Sequence, residues 1–117
     1  MDTKRRVVIT GMGVISPIGI GLAQFWDSLV KGKSGIRQIT RFDASGLPSR
    51  IAGEVDFDPE LYLDRRDARK MDRFTQMAVV SAQMAMEDSG GAGDLRPERG
   101  GVVIGTGLAG IDTITVQ

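Results

Sequence analysis

The apolar positions of this chain follow two periods, and the changes between them mark its elements. Val7, Val8 and Ile9 form a β-branched run without polar alternation, the pattern of a strand buried on both faces of a parallel sheet. Gly11, Gly13 and Gly19 interrupt that run, with Pro17 fixing a turn. From Leu22 the period becomes helical: Leu22, Phe25, Trp26, Leu29 and Val30 fall on one face, and Gly32 stands at the C′ position that stops the helix. Residues 35–58 hold no sustained period, and their short apolar pieces at 36–39 and 51–55 predict a long excursion with one short strand. Asp72 is placed to N-cap a helix over 73–89. Phe74, Met77, Ala78, Ala82 and Ala85 make one face of it, and Val79, Val80, Met84 and Met86 widen that face, so the pattern predicts a helix sandwiched between layers. Gly90 and Gly91 end it, and residues 102–104 read as the next buried strand. The order β, α, irregular, α, β predicts an α/β fold with parallel pairing.

Both predicted strands run straight into glycines, in RVVITGMGVISPIG at 6–19 and GVVIGTGLAG at 101–110. Glycine lets backbone approach a ligand or another element closely, because it has no Cβ and accepts φ > 0. Residues 105–110 match G-x-G-x-x-G after a strand, which taken alone suggests a dinucleotide site. The acidic residue expected about 20 positions further on has no counterpart in the sequence. The first turn offers only Gly11, Gly13 and then Ser16 in place of the third glycine. The spacing favours a glycine-lined turn with another purpose, and a dinucleotide-binding oxidoreductase stays as the competing reading.

Composition narrows the chemistry. The 117 residues make one domain at most, 41% apolar and 26% charged, as in an ordinary soluble globular protein. Lys plus Arg and Asp plus Glu both number 15, so nothing global points to nucleic acid. There is no cysteine and no histidine. The commonest general base, the commonest metal ligand and the thiolate nucleophile are therefore missing, and neither a metal nor another cofactor is expected. Lys4, Arg5 and Arg6 before an apolar stretch have the outline of a secretory leader, but the glycines, Pro17 and the lack of a small-x-small site favour a strand and turn. With no apolar run long enough to span a bilayer, a cytoplasmic protein without membrane contact is expected.

The most charged stretch is DRRDARKMDR at 64–73. Arg66, Arg69, Lys70 and Arg73 fall at helical spacing and would make a basic ridge suited to phosphate or an acidic partner. Spacing alone favours a solvated face whose internal ion pairs contribute only about a few tenths of a kcal/mol each. Met77, Met84 and Met86 read as core filler, and Trp26 as packing rather than a ligand platform. Glu87 and Asp88 end a helix without the polar partners an acid/base pair needs.

Taken in order, RRVVITGMGVISPIG, FWDSLVKGKSGI, RFDAS, RIAGEV, DFDP, RKMDRFTQMA, AMEDSG and GVVIGTGLAG resemble the opening of a β-ketoacyl-acyl carrier protein synthase, most closely the type II elongating enzymes of bacterial fatty-acid synthesis. The resemblance is collinear over essentially the whole chain, and modular polyketide synthase domains resemble it less. It implies a thiolase-like fold, layered αβαβα, of which residues 1–117 supply an incomplete N-terminal part, and a homodimer in the full-length form. It also implies decarboxylative condensation of an enzyme-bound acyl group with malonyl-acyl carrier protein, carried by one cysteine and two histidines. None of the three is in this sequence, so no catalytic residue is assigned and the piece alone is expected to be inactive and poorly folded. Arg66, Arg69 and Lys70 match a basic patch that meets the acidic carrier protein and its phosphopantetheine phosphate, which shifts the balance toward the ridge. Leu108 matches a position that lines and gates the acyl tunnel, where isoleucine is usual, and Ala109 replaces a glycine more often found there. A chain-length factor, the non-catalytic relative in aromatic polyketide synthases, is the second family-level reading.

Overall fold

The computed structural model describes residues 4–91, 93, 95–111 and 113. The expected domain of 1–117 thus begins and ends on residues outside that set. Around Pro17, β1 (Ile15–Ser16) and β2 (Gly19–Ile20) pair antiparallel, Ile15 opposite Ile20. The Ser16 hydroxyl closes the turn, donating to the Gly19 carbonyl at 3.0 Å and accepting from the Ile18 amide at 3.3 Å. Helix α1 (Leu22–Val30) follows. Its end is a Schellman motif: the Lys33 amide donates to the Ser28 carbonyl at 2.9 Å and the Gly32 amide to Leu29 at 3.1 Å, with Gly32 at φ 63°. The predicted C′ glycine has the conformation that a residue with a Cβ resists.

The excursion holds two strands rather than one. β3 (Arg37–Gln38) pairs antiparallel with β4 (Ile51–Ala52), and the two fall on the apolar pieces read from the sequence. A 3₁₀ turn (Pro59–Leu61) and the four-residue α2 (Arg65–Ala68) lead to α3 (Arg73–Asp88), the longest element. A second Schellman motif ends α3, from the Gly91 amide to Met86 at 2.8 Å and from Gly90 to Glu87 at 3.0 Å. A 3₁₀ turn (Pro97–Arg99) precedes residues 101–110.

The structure departs from three sequence expectations. Residues 7–9 and 102–104 are not buried strands: Val7 is 85% and Val103 99% exposed, and neither run is paired among the described residues. Both sheets are two-stranded and antiparallel, so the parallel pairing is not formed. A β-branched run favours extended backbone, but a strand also needs a neighbour to take its N–H and C=O groups, and these runs have none within the described residues. The expected sandwiching of α3 is incomplete among the described residues. Gly11 and Gly13 lie against α3 at Ser81, Met84, Ala85 and Ser89. On another side Ala78, Ala82 and Met86 form, with Val102 and Ile104, an open apolar groove of about 500 Å³.

Among the described residues the buried apolar ones are few: Ala44, Phe57, Ala68 and Val80, with Val80 the most enclosed at 1% exposure. Trp26 and Val30 on the α1 stripe are exposed, so the packing role expected for Trp26 is not filled within the described residues. The radius of gyration of 17.8 Å exceeds the roughly 13 Å of a compact domain of about this length. The thiolase-like layering expected from the resemblance is not assembled by these elements alone.

Candidate functional site

The α2–α3 junction carries the charged residues singled out from the sequence. Arg66 lies within α2, Arg69 is its C-cap, and Lys70 follows in the turn before α3. All three are exposed, so the backbone gathers them on one turn. Lys70 lies 3.7 Å from Asp67, whereas Arg66 and Arg69 make no ion pair among the described residues. Their charge is open to an outside partner.

Arg73 does not join them. It is the first residue of α3, and its guanidinium donates to the carbonyls of Val55 at 2.9 Å and Phe57 at 3.2 Å, with the Phe57 ring centroid 5.7 Å away. The four-residue ridge implied by helical spacing is therefore a three-residue patch, because the helix breaks between Ala68 and Arg73. Gln76 holds that break, its side-chain amide donating to the Ala68 carbonyl at 2.8 Å and the Met71 carbonyl at 3.2 Å. Sequence reasoning missed Gln76, which looks like any polar position on a helix and reveals its role only through the carbonyls it reaches.

Asp72 occupies the predicted N-cap position, but its carboxylate makes no bond to the first turn of α3. It accepts from the Thr113 hydroxyl at 2.6 Å, tying residues beyond the glycine turn to the start of the helix. Leu108, within that turn, is 81% exposed and borders a groove of about 280 Å³ with Phe74, Met77 and Gly110. Asp72 and Arg73 also border this groove, so the Leu108 site adjoins the turn that carries Arg66, Arg69 and Lys70.

A second cluster, unmarked in the sequence, ties the two sides of the excursion together. Glu54, 9% exposed, accepts from the Thr40 hydroxyl at 2.7 Å, the Thr40 amide at 3.0 Å and the Arg41 amide at 3.1 Å. The Thr40 hydroxyl bond above all, against a smaller opposing effect of burial, holds its carboxyl below the usual glutamate range. Arg37 grips Asp56 with both terminal nitrogens, at 2.8 and 2.6 Å, and lowers the Asp56 pKa chiefly through that contact. Among the described residues no group of three or more His, Cys, Asp or Glu could hold a metal, and no helix is long and apolar enough to cross a membrane.

Comparisons with known proteins establish the family. Residues 4–117 match the model of the β-ketoacyl synthase N-terminal domain. The chain belongs to the β-ketoacyl synthase family. It is 52% identical over 113 residues to a 3-oxoacyl-(acyl-carrier-protein) synthase 2 of Coxiella burnetii, covering 95% of this chain and 27% of that protein. It is 46% identical over 116 residues to the synthase of the same name from Synechocystis, covering 97% and 28%. Among solved structures it resembles that of the ishigamide ketosynthase/chain length factor, at 43% identity and a TM-score of 0.68, covering 81% of this chain and 23% of that one. The chain thus spans little more than a quarter of the length of the curated relatives it matches.

Proposed function

We propose that this chain is the N-terminal part of an elongating condensing enzyme, a 3-oxoacyl-acyl carrier protein synthase of type II. In the whole protein an acyl group carried on a thiolate meets malonyl-acyl carrier protein, which loses CO₂ and attacks the thioester. There, runs 7–9 and 102–104 find the strand neighbours that the described residues do not supply. The observation that carries this reading is the identity of 42–52% to synthases of that name over 95% or more of the chain. The geometry supports it at two points. Arg66 and Arg69 present uncommitted positive charge to an acidic carrier protein, and Leu108 stands at an apolar groove beside them.

With no cysteine or histidine among its 117 residues, the chain contributes recognition and part of the acyl channel, not the bond-making groups. A thiolate and imidazoles supply what Asp, Glu, Lys and Arg do not at neutral pH, a strong nucleophile and neutral donors to a developing enolate. The whole enzyme works in the cytoplasm as a homodimer on acyl- and malonyl-loaded carrier protein. A second reading, a chain-length-factor-like partner without the nucleophile, draws on the likeness to the solved ketosynthase/chain length factor. Titrating acyl carrier protein into the 117-residue chain, alongside a condensation assay, tests the proposal. Salt-sensitive binding without turnover is the expected result. Turnover would overturn the assignment of chemistry to residues outside this sequence, and absence of binding by a chain whose circular dichroism shows its helices formed would remove the carrier-protein role of the basic turn.

A further inference from the structure

We draw no further inference here: the strongest candidate, the open apolar groove that Ala78, Ala82 and Met86 of α3 form with Val102 and Ile104, carries nothing, because nothing in the structure shows what covers it.

Discussion

Gly13 is the point at which the N-terminal segment touches Ser81 of α3. A Cβ built there would collide with the Ser81 carbonyl oxygen and stand 2.9 Å from both the Met84 Cβ and the Ala85 amide nitrogen. The carbonyl and the amide are backbone atoms of a hydrogen-bonded helix, with no rotamer through which to yield. Gly13→Ala should destabilise the chain by about 1–3 kcal/mol, the usual cost of overpacking a close contact. Equilibrium urea unfolding read by far-ultraviolet circular dichroism measures it. Gly46→Ala, where an added Cβ meets nothing within 4 Å, is the control and should change little.

Glu54 joins the end of β4 to Thr40 and Arg41, and its lowered pKa gives the contact a pH signature. A carboxyl whose folded pKa lies below its unfolded one contributes stability that is fully present above the unfolded value. That stability is lost as pH falls through the lowered folded value. Stability should therefore decline on the acid side of the ordinary glutamate pKa. The Glu54→Gln variant should be less stable at neutral pH and show a flatter acid limb. Denaturation midpoints across the acid range would show it, and parallel limbs for the two proteins would remove Glu54 as a source of the dependence.

Where the sequence is legible, local chemistry decides the outcome. Leu22 through Gly32 and Arg73 through Gly91 each carry a helical apolar stripe closed by glycine, and both helices end in the glycine motifs their sequences require. Residues 7–9 and 102–104 mislead for a non-local reason. Their composition reports the neighbours a strand is suited to, and the described residues include no such neighbour. The basic turn is half legible: type and spacing locate Arg66, Arg69 and Lys70, but the helix break that sends Arg73 into a different groove depends on Gln76 and two backbone carbonyls. The Glu54–Thr40 clamp spans 14 positions without a motif, and only the pairing of β3 with β4 brings its ends together.

The exposed turn should behave as an electrostatic docking site. Neutralising Arg66 or Arg69 to Gln is expected to weaken binding of acyl carrier protein by up to about fivefold each, the range of rim charges. Lys70→Gln should cost less, since Asp67 already shares that charge. The effect should appear mainly in the association rate and fade as ionic strength rises. Surface plasmon resonance at two salt concentrations separates this from a folding defect, which would not be restored by salt.

Asp72 supplies the last prediction, because its position and its bonding point to different roles. An aspartate that caps its helix loses about 1 kcal/mol of stability on change to alanine. Here the carboxylate makes no cap bond and holds Thr113 instead. Asp72→Ala should therefore leave α3 nearly as stable as before while freeing the segment that carries Leu108. Backbone ¹⁵N relaxation distinguishes the two: order should fall over residues 105–111 and stay unchanged over 76–88. Thr113→Val removes the same bond from the other side and should reproduce the pattern, whereas a loss of order along α3 in Asp72→Ala alone would restore Asp72 to a capping role. Both variants should also loosen the groove that Leu108 shares with Phe74 and Met77 and lower the order of Gly110 at its edge.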